Sequence, residues 1–212
     1  MILQNIVGPS TNSSPNALVN GRAGQLGDAI VSELHGRYYE TTYRSNSFLL
    51  SVSTAAAVTA FTGAAGGTPM IGLFNPVGSG KNLVINKVSV GNVVAASAAG
   101  TVSFALFFGV TAAITQTTTT TPWNMLTLQQ SGSVAVGFRN VALTSSTAAT
   151  NAIPLASYYW ATAAGAANVT PSITDLEGSI IVPPGAYIAL GGSAALASAT
   201  WIGSLQWEEV PV

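Results

Sequence analysis

The sequence predicts an all-β protein: a β-sandwich preceded by an extended N-terminal arm. Many short runs of β-branched, aromatic and aliphatic residues occur, and Gly, Pro and Asn separate them. Outside the N-terminal region, no stretch of ten residues shows an apolar stripe at helical spacing. With 212 residues the chain can bury one core. We place the arm at residues 1–36 and the sandwich domain at residues 37–212.

The first 27 residues are rich in Asn, Ser, Gly and Pro and offer little apolar surface, which is typical of a segment that does not fold alone. The next eight residues fit two structures. Leu26, Ile30 and Leu34 have helical spacing, whereas residues 29–31 could form a short strand. The sequence leaves both open.

Strands are expected from residue 37 onward. Their predicted ranges are 37–44, 48–52, 70–74, 83–90, 101–110, 134–141, 157–162, 179–182, 186–190 and 200–208. A turn at residues 183–185 (Pro-Pro-Gly) separates two of them, because prolines end one strand and Gly permits a tight turn. The threonine tract at residues 115–121 favours extended backbone and predicts an edge strand or a long loop.

Charge is scarce in this chain. Six basic and seven acidic residues make up 6% of it, whereas about a quarter of a typical soluble domain is charged. Segments 88–138, 140–174 and 178–207 contain no charge at all. Few residues are therefore available for acid–base chemistry, metal binding or phosphate binding. This pattern favours a subunit whose surface is covered by neighbours over an enzyme, and it predicts no cofactor and no metal.

Composition also argues against other classes. A net charge of −1 provides no basic surface for nucleic acid. The absence of Cys excludes disulfides, thiolate catalysis and Cys-based zinc sites. The most apolar segment, residues 93–114, contains Ser, Thr and Gly and lacks basic flanks, so it predicts buried strands and not a membrane span. The N-terminus lacks the basic flank and apolar core of a signal peptide.

Gly78-Ser79-Gly80-Lys81 resembles part of a phosphate-binding loop. A complete motif has a Gly where this chain has Asn75, and Ser or Thr where it has Asn82. A strand, and not a helix, is expected to follow. We therefore predict a glycine turn between strands with Lys81 solvated at its tip.

Catalytic interpretations depend on very few residues. His35 is the single histidine, and a triad would need it together with Asp28 or Asp175, but the Gly-x-Ser-x-Gly nucleophile motif is absent. Asp175, Glu177 and Glu208 could form a glycosidase pair or part of a calcium site. We favour solvated charges for all of them, with Glu208 and Glu209 on opposite faces of a strand.

The tryptophans have two interpretations. Trp201 and Trp207 share one face of the last strand, and we expect them in the core. The alternative is a platform on which a sugar stacks. A receptor- or glycan-binding module would use Trp123, Trp160, Trp201 or exposed tyrosines.

Three stretches resemble a group of virion proteins of tailed bacteriophages, namely capsid decoration, cement or head-fibre-like proteins. These are residues 35–40 with 44–48 (HGRYYE and RSNSF), residues 73–83 (LFNPVGSGKNL), and the Pro183–Gly185 turn before a last strand with tryptophans. The resemblance covers most of residues 33–90 and about the last 35 residues. None of these motifs is catalytic.

The resemblance implies a jelly-roll-like β-sandwich that binds the outer face of an icosahedral head as a homotrimer. The implied partners are the major capsid protein and copies of the chain itself, with no nucleic acid and no membrane. The implied location is the virion, after synthesis in the host cytoplasm. We expect the arm and the charged residues near its end to contact the partner. The predicted partner-binding residues are Arg22, Arg37, Glu40 and Arg44.

Overall fold

The computed structural model describes residues 36–58, 70–97, 100–110, 119–130, 132–139, 152–162, 172–192 and 196–212. The chain divides into two compact units, Met1–Tyr39 and Glu40–Val212. Only residues 36–39 of the first unit are described. The arm and the helix or strand expected at residues 28–35 therefore lie outside the described residues and stay predictions.

One short helix and eleven strands occur among the described residues. They are α1 Tyr39–Tyr43, β1 Ser47–Val58, β2 Gly72–Asn75, β3 Lys81–Val94, β4 Gly100–Phe107, β5 Thr119–Thr120, β6 Trp123–Asn124, β7 Val136–Phe138, β8 Ala152–Thr162, β9 Ser172–Val182, β10 Ala186–Gly192 and β11 Leu196–Pro211.

The strands form two antiparallel sheets, with the orders β6-β1-β11-β3-β9 and β5-β7-β2-β10-β4-β8. The eight longest strands pair as β1 with β11, β2 with β10, β3 with β9, and β4 with β8. This is an antiparallel ribbon rolled into two sheets, which is the jelly-roll arrangement. The short strands β5, β6 and β7 lie in the connection between β4 and β8. The predicted β-sandwich is confirmed.

The main core lies between the two sheets and contains alternate residues of each strand. Phe48, Trp201 and Trp207 belong to it from the five-stranded sheet, and Phe104 and Ile188 from the six-stranded sheet. The rings of Phe48 and Trp207 stack with centroids 5.9 Å apart. The core position predicted for Trp201 and Trp207 is confirmed, since their exposed fractions are 2% and 0%.

A second apolar cluster covers the opposite, outer face of the six-stranded sheet. It includes Phe74, Phe107, Phe138 and Tyr187, all buried. The Phe107 and Tyr187 rings stack at 4.4 Å, and the Phe138 ring meets Tyr187 edge-on at 5.9 Å. Gly72 permits this packing, because any side chain there would collide with the Phe138 ring.

The strand predicted for residues 37–44 is wrong, because helix α1 occupies most of that segment. Aromatic and β-branched residues suggested a strand, but local interactions favour one helical turn. The Arg44 amide donates to the Glu40 carbonyl at 3.0 Å, and the two side chains form an i,i+4 ion pair. Ser45, with φ of 60°, ends the helix.

Other predicted strands differ mainly in length. β8 is longer than predicted and tolerates Pro154 because it is the outermost strand of its sheet in the described residues. β9 starts seven residues earlier than predicted, and Glu177 and Gly178 interrupt it at positive φ. The turn after β9 forms as predicted: Ala186 donates to the Pro183 carbonyl, and Gly185 has φ of 80°.

Candidate interaction surface

The outer face of the five-stranded sheet carries a row of three serines across three strands. Ser51 on β1 pairs with Ser204 on β11, which pairs with Ser89 on β3. The hydroxyls of Ser89 and Ser204 are 2.7 Å apart and hydrogen-bond to each other. A shallow cleft of about 100 Å³ opens here. We call it the serine cleft; its lining includes Ser51, Ser89, Gly91, Ile202, Gly203 and Ser204.

An ion pair lies beside the serine cleft on the same face. Lys87, two residues before Ser89 on β3, has its Nζ 3.9 Å from Oδ2 of Asp175 on β9. The Asp175 carboxylate also accepts a hydrogen bond from the Glu177 amide at 3.0 Å. Both partners of the ion pair are 40% exposed, so the pair contributes little to stability. It places one positive and one negative charge at the margin of the cleft.

The loop after β6 presents large apolar side chains to solvent at the other edge of this sheet. Trp123 pairs with Leu49 of β1 and is 43% exposed. Leu126 and Leu128 follow it and are 46% and 69% exposed. We call Trp123, Leu126 and Leu128 the apolar knob. Leu128 has φ of 54°, a left-handed conformation that is costly for a leucine.

Buried Asn124 holds the apolar knob in place. Its Oδ1 accepts hydrogen bonds from the amides of Leu126 and Thr127, at 2.9 and 3.1 Å. Its Nδ2 donates to the Ser45 carbonyl at 2.9 Å, which joins the loop to the residue after Arg44. The Leu128 amide donates to the Asn124 carbonyl at 2.9 Å. The backbone of the loop is therefore specified by several hydrogen bonds.

The predicted partner-binding residues are only partly brought together. Arg22 lies outside the described residues, and Arg37 is exposed. Arg44 Nε lies 2.6 Å from Glu40 Oε1, with both side chains exposed. Asn124 donates a hydrogen bond to the carbonyl of Ser45, which directly follows Arg44. The Glu40–Arg44 pair therefore lies near the apolar knob. A partner role for all four residues stays a prediction.

The turn at residues 75–81 is structural, as predicted, but Lys81 is half-buried and ion-paired, and not a free charge at its tip. The Asn75 amide group donates to the carbonyls of Lys81 and Val182, at 2.8 and 2.9 Å. The Ser79 hydroxyl donates to Asn75 Oδ1. Lys81 Nζ lies 2.9 Å from Glu209 Oε2, because the register of β3 and β11 places the two side chains at one end of the sandwich.

The expectation that Glu209 is a solvated terminal charge is wrong too, since it is only 1% exposed. Its Oε1 accepts hydrogen bonds from the Ser133 hydroxyl at 2.6 Å and the Val134 amide at 3.0 Å. Those two bonds and the Lys81 pair satisfy the buried carboxylate. Glu208 points the other way, to the outer face, where partial burial raises its pKa. The predicted opposite orientation of Glu208 and Glu209 is confirmed.

The other candidate catalytic residues are scattered. Asp175 and Glu208 lie on the same sheet with β3 between their strands, a spacing of about 10 Å across the strands. His35 lies outside the described residues. In the part of the chain that the structure describes, no three His, Cys, Asp or Glu side chains are grouped to hold a metal ion. The same residues include no helix long and apolar enough to cross a membrane.

Sequence reasoning missed the apolar knob and the serine cleft. The sequence suggests Trp123 only as a sugar platform, and Leu126 and Leu128 lie in a charge-free segment that carries no motif. The dipeptide Trp123-Asn124 before a leucine-rich loop was the available signal, since Asn commonly stabilises turns through its side chain. No sequence signal places Ser51, Ser89 and Ser204 together, because strand register decides it.

No protein-family model matches this sequence, and a comparison with curated proteins finds no similar one.

Proposed function

We propose that the chain is a structural virion protein that binds the outer surface of an icosahedral bacteriophage capsid as a homotrimer and stabilises contacts between capsomers. Its partners under this proposal are the major capsid protein and other copies of the chain. The observation that carries the proposal is an open sheet face with exposed apolar side chains on a jelly-roll domain that is nearly devoid of charge.

Two further points support a role in assembly. Jelly rolls are common among capsid and lectin domains, although a fold alone does not define a function. Burying an unpaired charge costs several kcal/mol, so a surface with few charges can be covered by neighbours at little cost. Three sequence stretches resemble capsid decoration proteins, and this resemblance is the reason for proposing a phage head as the partner.

Co-sedimentation with phage heads tests the capsid part of the proposal. Heads of the encoding phage, assembled without this protein, are mixed with the full chain. We expect saturable binding, and we expect a chain lacking residues 1–27 to keep a folded core but bind more weakly. A matched comparison uses Arg37→Ala with Arg44→Ala, which removes two predicted contacts. Absence of co-sedimentation for the full chain would refute capsid binding.

A second candidate function is glycan binding, and the exposure of Trp123 favours it. An indole that is 43% exposed on a sheet face can stack on a sugar ring. Trp201 is buried in the core and is not available for this role. A glycan array probed with the full chain and with Trp123→Ala tests the idea. Hits that disappear in the variant would support it, and an array without hits would remove it.

A further inference from the structure

The apolar knob is held in a conformation that keeps its side chains exposed. Leu128 has a left-handed backbone conformation, which is costly for a leucine. The Asn124 hydrogen bonds maintain that conformation while the side chains of Leu126 and Leu128 stay exposed. Exposed apolar area contributes nothing to the fold. Covering the two leucines with another surface would therefore add apolar burial that the single chain lacks.

The serine cleft has the shape and chemistry to receive such a side chain. Its volume of about 100 Å³ equals that of about three water molecules, enough for a four-carbon side chain. Gly91, which pairs with Ile202 across the strands, adds no side chain to the cleft, and the lining includes no charged residue. The hydroxyls of Ser89 and Ser204 bond to each other, so one of their two O–H donors already has a partner before the cleft is covered.

We propose that the apolar knob of one copy docks into the serine cleft of a second copy of this chain. The inference rests on the proposed self-assembly and names the surfaces that carry it. The charges beside the apolar knob and beside the serine cleft are compatible with docking of a second copy. The Glu40–Arg44 pair lies near the knob and the Lys87–Asp175 pair lies near the cleft, each with one charge of either sign. Docking leaves both pairs at a polar rim around an apolar centre, the usual anatomy of an interface.

The knob and the cleft are different patches of one chain, which limits the possible symmetry. If each copy gives its knob to the next copy, the contact is heterologous and closes into a ring when the rotation permits. A ring of three copies agrees with the proposed trimer. If two copies exchange knobs reciprocally, the assembly stops at a two-fold pair.

Disulfide cross-linking tests the docking directly, because the native chain has no cysteine. Leu128→Cys is made in one full-length chain and Ser204→Cys in another that carries a tag of different size. Both substitutions are mild, since Leu128 is exposed and Cys is close to Ser in size. After mixing and gentle oxidation, we expect a disulfide-linked heterodimer as the main product. A disulfide requires Cα atoms within about 7 Å, so only close docking produces it.

The matched control replaces Ser204→Cys by Ser179→Cys, an exposed serine on β9 outside the cleft. We expect little heterodimer with this partner. The docking proposal is overturned if both mixtures cross-link equally, or if neither does. Light scattering on the untreated chain distinguishes failure of the docking proposal from failure of the self-assembly proposal. An oligomer without the specific cross-link refutes the docking alone. A monomer refutes the self-assembly on which the docking rests.

The double variant Leu128→Cys with Ser204→Cys distinguishes ring from pair on a denaturing gel. A covalent trimer supports docking in a closed ring. A covalent dimer as the largest species also supports docking, but by reciprocal exchange, and it contradicts three-fold assembly.

Discussion

The outer faces of the two sheets differ sharply. On the six-stranded sheet, aromatic side chains including Phe107, Phe138 and Tyr187 are buried within the single chain. On the five-stranded sheet, the corresponding face carries serines, the Lys87–Asp175 ion pair and exposed isoleucines on β9. The outer face of the six-stranded sheet is buried within the chain, whereas the outer face of the five-stranded sheet is exposed. We call them the closed face and the open face.

This difference indicates where a partner can bind. A jelly roll needs only the core between its sheets to be stable, so neither outer face must be covered. In this chain the aromatic rings on one outer face are buried, whereas the other face carries a cleft and a neighbouring apolar knob. Substitutions should therefore affect stability on the first face and association on the second.

The largest expected effect is on the closed face. Phe138→Ala should lower the free energy of unfolding by about 3–5 kcal/mol, because it removes a buried ring that packs on Gly72 and Tyr187. Ile173→Ala, on the open face, should change stability by less than about 0.5 kcal/mol, since Ile173 is exposed. Urea denaturation measures both. Equal losses in the two variants would remove the distinction between the faces.

Adjacent glutamates provide the next comparison. Glu209→Gln should cost about 2–3 kcal/mol of unfolding free energy, because it removes the buried charge that binds Lys81 and Ser133. Glu208→Gln, one residue earlier and on the outer face, is the control and should not be destabilised at neutral pH. If urea denaturation shows no loss in Glu209→Gln, the buried ion pair does not stabilise this end of the sandwich.

The Tyr187 hydroxyl tests the closed face with a smaller change. It is buried without a hydrogen-bond partner, so Tyr187→Phe should raise stability by about 1 kcal/mol. Burial also raises the pKa of Tyr187 to about 12. The unfolded chain releases this proton near pH 10, so the native protein should lose stability as pH rises from 10 to 12. Tyr187→Phe should lose less over that range in urea titrations. Identical pH profiles would show that the phenol is accessible to water.

The smallest effect concerns Glu208 on the open face. Partial burial raises its pKa, so the folded state favours the protonated form and ionisation at neutral pH opposes folding. Glu208→Gln should therefore be slightly more stable than the native chain at pH 7. The difference should vanish near pH 3, where both the folded and unfolded carboxyls are protonated. A variant that is less stable at pH 7 would contradict this sign.

The sequence predicts the architecture well because strand periodicity and turn residues are local signals. Strand positions near residues 83–90 and 200–208, and the Pro183–Gly185 turn, depend on such signals and are confirmed. The segment at 37–44 misleads because its residues favour strands one by one, whereas the Glu40–Arg44 pair and the Ser45 turn favour a helix. Local composition does not show whether the strand preferences of single residues or the ion pair and turn contribute more.

The candidate surface was much less predictable. The serine cleft depends on the register of β1, β11 and β3, which brings together residues as distant in sequence as Ser51 and Ser204. Glu209 has the sequence position of a terminal charge, and its pairing with Lys81, diagonally across from it on the neighbouring strand, accompanies its burial. Contacts between distant strands decide both features, and no short pattern encodes them.

The most direct test of assembly through the open face is the solution mass of the full chain, measured by light scattering behind a sizing column. Trimer assembly through the open face predicts a mass near three times 21.4 kDa, and a lower mass for Leu128→Asp, which places a charge in the knob. Three-copy mass in the native chain and dissociation in the variant would support assembly through the open face. A native chain that stays at 21.4 kDa at all concentrations would contradict it.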